Sequence, residues 1–357
     1  MIIDYKKLHL FTQQVFLNCG MPIDDAKLAA DVLLLADLRG IDSHGVARLS
    51  GYVRLYQAKR ANFNPTIKIL HQTPSTATID ANEGLGLTVA PKAMQIAIEK
   101  AKQVGTGWVA IQNSNHFGIA AYHAMLALQH DMIGIAMTNA SPLVAPTNSK
   151  ERMLGTNPMC YAFPAGKHQP IVVDMATSTA ANGKLEIAQR SNKKVPLGWI
   201  KDKEGNDTDD PAALKNGGVL LPLGSGETNA GHKGFGLSAV VDIFSGVLSG
   251  ANYGPWVPPF VSFLNPLPNL PGKGIGHFVG AMRIDAFRPA IDFKNDMDNW
   301  IDRFKSATPI DVSNSVIIPG EPEYLQHQLR LTGGIDLNEM VVKDLKELAS
   351  LLNINWE

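Results

Sequence analysis

A change of hydrophobic period at Pro65 divides this chain. Before it, apolar residues recur at helical spacing. Leu8, Phe11, Val15 and Phe16 mark one face of a helix over residues 4–18 that Gly20 closes. Pro22 and Asp24 open a second helix, with Ala29, Val32, Leu33 and Ala36 on its buried face and Gly40 as its stop. From Thr66 the pattern becomes that of strands and crossovers. IKIL and TATID read as short strands around an HQTPS turn, residues 88–104 as a helix with Ala90, Ala93, Met94, Ala97 and Ala101 inward, and WVAIQN as a buried strand. HFGIAAYHAMLALQ reads as a helix and IGIAMTN as another strand, and this alternation predicts a layered α/β domain.

Further strands are expected at MCYAFP, IVVDMA and HFVGAMRI, an outer helix over residues 289–305, and an amphipathic helix over 337–352 that returns to the N-terminal helices. The stretch PLGWIKDKEGNDTDDPAALKNGG reads as a polar surface excursion. FGLSAVVDIFSGVLSGA, from Phe235, is interrupted by Asp242 and by glycines, so it reads as a buried helix and not as a membrane span.

The chain has 357 residues, enough for two domains, and its net charge of −1 gives no electrostatic footprint for nucleic acid or for a membrane surface. The start, MIIDYKKLHLF, lacks the cationic and apolar regions of a signal peptide, which points to a cytoplasmic protein. Two distant cysteines, Cys19 and Cys160, build neither a disulfide framework nor a zinc knuckle. The expected partner is a small molecule.

The chemistry gathers in GIDSHGVARLSGY, residues 40–52. Ser43 and His44 stand at the mouth of an expected third helix, with Arg48 and Tyr52 four and eight positions past the histidine on one face. A helix N-terminus disfavours imidazolium and lowers the pKa of such a histidine. Arg48 offers a planar fork to a carboxylate, or else forms a salt bridge to a neighbouring acid. Ser43 has the plainer reading of a helix cap. A second cluster, NSNHFGIAAYH, puts His116 at the carboxyl end of a strand, where α/β sheets bind ligands, although a capping or core histidine fits equally. His123 lies seven further on, and no carboxylate or third histidine completes a zinc-like set with them, so no metal site is expected.

No G-x-G-x-x-G, no phosphate-binding P-loop and no G-x-S-x-G elbow occurs. What remains for phosphate is GHKGFGLS, where Lys233 and the backbone beside Gly234 precede an apolar helix; glycines there equally serve close packing.

Together, DSHGVAR at 42–48, NSNHFG at 113–118, LGTNP at 154–158, VDMATS at 173–178, VPLGWIKDKEGNDTDDP at 195–211, GHKGFGL at 231–237 and PGEPE at 319–323 resemble the type 2, sulfolactate-dehydrogenase-like, malate/L-lactate dehydrogenase family. The resemblance spreads across nearly the whole chain. It implies a three-layer α/β/α fold with a mixed, non-Rossmann dinucleotide-binding sheet over residues 66–317, which accounts for the missing glycine fingerprint. It implies an α-helical substrate and dimerisation domain built from both chain ends, residues 1–65 with 318–357, and a homodimer.

The activity implied is NAD- or NADP-dependent interconversion of a small 2-hydroxy acid and its 2-oxo acid, malate and oxaloacetate foremost. Reduction of other keto acids or a cyclic imine and oxidation of a ureido acid are the alternatives, and a metal-dependent lyase or hydrolase using His44, His116 and His123 is a more distant one. By position, His44 is the proton donor, Ser43 and Arg48 hold the substrate, and His116 lines the same site and serves as the acid/base residue in some relatives. Asn139, Thr156, Asn157, Pro158, Asp174, Met175, Ala176, Lys233, Gly320 and Glu321 fall in segments that contact the dinucleotide. The chain departs from the family at Thr147, Asn148 and Ser149, where relatives tend to carry a glycine pair, and HFVGAMRIDAF is a looser match.

Overall fold

The computed structural model describes residues 1–226 and 229–356. A helical body opens the chain, with α1 (Tyr5–Asn18), α2 (Ile23–Leu38) and α3 (Leu49–Gln57). Asp4 caps α1 by accepting the Lys6 and Lys7 N–H groups, and acidic Asp24 and Asp25 sit in the first turn of α2. The expected inward residues Leu8, Phe11, Val15, Phe16, Ala29, Val32 and Leu33 are all buried, in one cluster with Val341, Leu345 and Leu348 of the C-terminal helix. The helical core is thus closed by both ends of the chain. The short strands β1 (Ile2–Ile3) and β12 (Ile335–Asp336) pair antiparallel and pin those ends together.

The α/β part carries a seven-stranded mixed sheet. Its strands are β2 (Lys68–Gln72), β3 (Thr76–Asp80), β4 (Thr106–Ser114), β5 (Met132–Thr138), β6 (Met159–Phe163), β7 (Ile171–Met175) and β11 (Ile275–Arg283), in the order β2-β3-β4-β11-β5-β6-β7. Only β3 and β4 pair in parallel among these, joined by α4 (Gly86–Val104); β11 lies antiparallel to both β4 and β5. The late strand wedged between two early ones brings the carboxyl ends of β4, β5 and β7 and the amino ends of β6 and β11 to the same edge.

One sheet face is buried under α4 and α5 (Ala120–Met125), with Ala93, Met94 and Ala97 against Val109, Ile111 and Ala136. Gly107 and Gly134 make this closeness possible, since a Cβ at either would collide with the carbonyl of Ala97 or Ala124. The other face meets α7 (Gly231–Asp242) through Val241, Phe278 and Met137. The outer helix α8 (Ala290–Lys305) and the amphipathic tail α10 (Glu339–Leu352) occur as the spacing predicts.

Four features differ from the sequence reading. The polar excursion is folded: β8 (Ile200–Lys201), β9 (Asp207–Thr208) and β10 (Val219–Leu220) form a small sheet over Val195, Leu214 and Leu143. The helices α6 (Asn182–Arg190) and α9 (Glu321–Gly333) were not expected, because polar residues interrupt both and neither has a continuous apolar face. The helix expected from His116 starts only at Ala120 and tightens into a 3-10 turn at Leu126. Finally, the apolar helix through Phe235 continues as a π-turn over Ile243–Val247, and Val240, Ile243, Phe244, Val247 and Leu248 are exposed in this chain. No helix among the described residues is long and apolar enough to cross a membrane.

Candidate active site

Two short turns and one loop bring the candidate residues together. Gly40 stops α2 in the left-handed region at φ +76, as its position predicts. The chain then makes a 3-10 turn over Asp42–His44, breaks at Gly45, makes a second over Val46–Arg48, and only then enters α3. A Cβ on Gly45 would collide with the carboxylate of Asp37, whose Oδ2 accepts the Val46 N–H at 2.8 Å. Ser43 is therefore no helix cap. Its Oγ lies 2.9 Å from His44 Nδ1.

His44 is held low, at about 4, by burial first and by the Arg48 cation second. The expected helix dipole is not the cause, because α3 begins five residues later. Arg48 pairs with a neighbouring acid and also faces the cleft. Its Nε–H donates to the Ser43 carbonyl at 2.6 Å, Nη1 stands 3.4 Å from Glu186 Oε2 on α6, and the side chain still lines the cleft.

His116 occupies the loop between β4 and α5. Its Nδ1 is 2.6 Å from the Tyr52 hydroxyl and accepts the Gly118 N–H at 3.3 Å. A backbone N–H can only donate, so this bond assigns Nδ1 as acceptor and puts the ring proton on Nε2. Burial, together with the neighbouring His44 and Arg48, keeps His116 well below the ordinary histidine range. Tyr52 is fully buried, and burial pushes its phenol up. It reaches His116 and not, as its position eight past His44 suggested, the first histidine. The two imidazoles lie 6.0 Å apart at 22°, and Phe260 stacks on His116 at 4.6 Å.

The cleft around them is walled by Leu143, Pro158, Phe260, Val261 and Ile275 and rimmed by Thr138, Asn139 and Thr156. Apolar walls with a polar rim suit a flat ring that carries a polar substituent. Past Arg48 and Gly183 lies a wider cleft of about 910 Å³, bordered by residues of α3, α6 and α10.

The expected dinucleotide residues divide. Thr156, Pro158 and Asn139 line the histidine cleft. The Asn139 and Asn157 side chains are buried and occupied: Asn139 donates to the Asn252 carbonyl at 2.7 Å, and Asn157 Oδ1 accepts the Ala140 N–H at 3.1 Å. They shape the rim from behind. Asp174 and Gly320 line a separate cavity with Arg39 and Glu323. Asp174 accepts the Ala121 N–H at 2.9 Å, and burial lifts its carboxyl to about 6. Met175 and Ala176 lie at the end of β7, with Met175 packed toward Met137 and Phe278. Glu321 is paired with Lys305 at 2.7 Å. Lys233 is exposed in the first turn of α7 and lines neither cavity, and a Cβ on Gly234 would strike the Leu223 backbone, so that glycine serves packing.

Several contributors escaped the sequence reading. Gly183 is required by space, because a Cβ there would collide with Ser43 and lie 3.2 Å from Arg48 Nη2. Asn182 donates to Glu186 Oε1 at 2.8 Å, a pair whose four-residue spacing was legible once a helix was granted there. Phe260 comes from a proline-rich loop with no periodic signal. His123 does not join the cleft. It is buried, with Nε2 2.8 Å from the Phe117 carbonyl, and among the described residues no group of three or more His, Cys, Asp or Glu is placed to hold a metal ion.

A family model described as malate/L-lactate dehydrogenase matches residues 3–346. The malate dehydrogenase of Pyrococcus horikoshii is 42% identical over 349 residues, 98% of this chain and 94% of that protein. The L-sulfolactate dehydrogenase of Methanocaldococcus jannaschii is 38% identical, over 95% of this chain and 93% of its own. Among solved structures, the malate dehydrogenase from Entamoeba histolytica superposes with a TM-score of 0.92 at 32% identity, covering 99% of both chains.

Proposed function

The chain belongs to the malate/L-lactate dehydrogenase family, and on that premise we propose that it interconverts a small 2-hydroxy acid and its 2-oxo acid with NAD or NADP, malate and oxaloacetate being the leading pair. The observation that carries this reading is the convergence of Arg48, His44 and His116 on one apolar-walled cleft. A carboxylate has a cation to hold it, and a carbonyl oxygen has two imidazoles beside it.

The nicotinamide, when bound, supplies or takes up the hydride. Thr156, Pro158 and the Asn139 backbone would hold that end of the cofactor, and the segments of Asp174, Met175, Ala176 and Gly320 would contact the rest of the dinucleotide. Arg48 binds the substrate carboxylate chiefly through Nη2, the guanidinium nitrogen that neither the Ser43 carbonyl nor Glu186 engages. Fixing that group orients the reacting carbon, which supplies much of the rate. His116 carries its proton on Nε2 and commits Nδ1 to Tyr52 and Gly118, so it acts as a fixed hydrogen-bond donor to the substrate oxygen. His44 exchanges the proton, with Ser43 on its Nδ1 to set the ring. Neutral in the empty cleft, it takes the hydroxyl proton in oxidation. A carboxylate on Arg48 offsets the cation that depresses His44, which favours the protonated form needed for reduction.

The two chain ends form the substrate and dimerisation unit in this reading, and the strand-rich middle forms the cofactor unit. The exposed Val240, Ile243, Phe244, Val247 and Leu248, which lie on the cofactor unit, support a homodimer whose contact surface extends beyond the chain ends, and we place it in the cytoplasm. Screening 2-oxo acids with NADH and with NADPH, followed at the reduced-cofactor absorbance band, tests the proposal. Oxidation of the cofactor with oxaloacetate or a related acid is the expected result. No turnover across the panel, or activity that chelation abolishes and Zn²⁺ or Mn²⁺ restores, would overturn it.

A further inference from the structure

We propose that Arg330, on α9, is a positioning residue for His44 and acts with Asp37 as a two-point clamp on the turns at residues 42–48. The inference rests on the hydroxy-acid dehydrogenase reading above for what the turn does, but its geometry stands apart from that reading.

The turn does not fix itself. Two three-residue 3-10 segments separated by Gly45 have few internal bonds: His44 N–H to the Ile41 carbonyl and Arg48 N–H to the Gly45 carbonyl, both at 2.9 Å, and the Arg48 Nε–H to the Ser43 carbonyl at 2.6 Å. Such short segments are marginal by themselves. A small rotation there would move the His44 ring out of the cleft it shares with His116.

Two external groups supply the restraint. At the front, the Arg330 guanidinium bridges the Asp42 carboxylate and the Asp37 carbonyl; Nη1 reaches the carbonyl at 2.6 Å and also bonds Asp42 Oδ1, and Nη2 stands 3.4 Å from Asp42 Oδ2. At the back, the Asp37 carboxyl accepts the Val46 N–H, in the space that only a glycine at 45 leaves open. The side chain of Arg330 is 15% exposed, so the bond to the Asp37 carbonyl is well shielded, whereas the Asp42 carboxylate is 48% exposed and its contact is the more screened of the two. The planar fork matters because one group must meet a carbonyl and a carboxylate together, which an ammonium on a flexible stem does not reproduce. Arg330 lies 288 positions from Asp42. No local pattern announces the pair.

Arg330→Ala in the full chain tests the clamp, with hydrogen exchange by mass spectrometry alongside steady-state kinetics. Exchange over residues 41–49 should speed up while the rest of the protein is unchanged, kcat/KM should fall by about ten- to a hundredfold with reduced-cofactor affinity intact, and added guanidinium should restore part of the rate. Arg330→Lys should restore little. Asp42→Ala, which removes the same contact from a half-exposed position, should give the same signature and add little on top of Arg330→Ala. Wild-type exchange over 41–49 in both variants would overturn the clamp, as would faster exchange spread over the whole chain without rescue by guanidinium. Exchange needs no substrate, so a wild-type protein inactive on every 2-oxo acid would sink the functional reading while the exchange data still decide the clamp.

Discussion

Residues 116 and 117 are neighbours on one loop, yet they belong to different parts of the molecule. His116 turns toward the cleft, stacked on Phe260 and facing His44 at 6.0 Å. Phe117 turns into the core, where His123 and His277 flank it at 4.6 and 4.9 Å. Both regions hold two histidines, and burial depresses all four. A lowered pKa therefore does not distinguish chemistry from structure here. A ring nitrogen open to the cleft does. His277 spends both nitrogens, on Thr138 and Ser114, and His123 spends Nε2 on the Phe117 carbonyl and keeps Nδ1 buried without a partner. His44 and His116 use Nδ1 on the protein and line an open cleft.

The sharpest way to break this contrast is His44→Ala. Turnover should drop by about a hundredfold to ten-thousandfold while the reduced dinucleotide still binds, measured by its fluorescence. Full turnover would remove His44 from the proton-transfer role. Next comes Arg48→Lys, which keeps the charge and loses the fork. It should raise KM and lower kcat/KM by about ten- to a hundredfold, or about 1.4 to 2.7 kcal/mol, as steady-state kinetics would read.

The core pair should respond in the other currency. His123→Leu should cost about 1 to 3 kcal/mol in denaturant unfolding, with kcat/KM of the folded enzyme unchanged. A large loss of activity at full stability would erase the distinction between the pairs. The pairs also respond to pH. Folded-state values are depressed to about 4 for His44 and His123 and about 3 for His277, below the ordinary 6.5 of the unfolded chain. The unfolded state then binds more protons below 6.5, so this stability is present above that pH and is lost as pH falls through about 4 and 3. His123→Leu should remove one share of that loss. In the oxidation direction, the acid limb of kcat/KM should fall near the depressed His44 value and move up when Arg48 is replaced by Gln.

Much of the fold was legible because its elements carry local signals. The apolar period in Leu8 to Phe16, the alanines of α4 and the runs of β4 and β5 each state their own partner face. Where that signal is weak, the reading failed. The α6 segment NGKLEIAQR and the polar 196–218 stretch bury little by themselves and are ordered by neighbours distant in sequence, such as Leu143 against Leu220. The exposed face of α7 reads as core because composition cannot say which apolar surface this chain itself covers.

At the site, the sequence by itself determined the groups: an imidazole and a fork four residues apart, a second histidine at a strand's carboxyl end, and a glycine stop that forces a turn before α3. Those follow from local spacing and from the few residues that tolerate a given backbone. Tertiary structure alone decided that Tyr52 serves His116, that Glu186 faces Arg48, and that Arg330 reaches Asp42 across 288 positions. Such pairings depend on how the two chain ends close over the sheet edge, and only long-range packing sets that geometry.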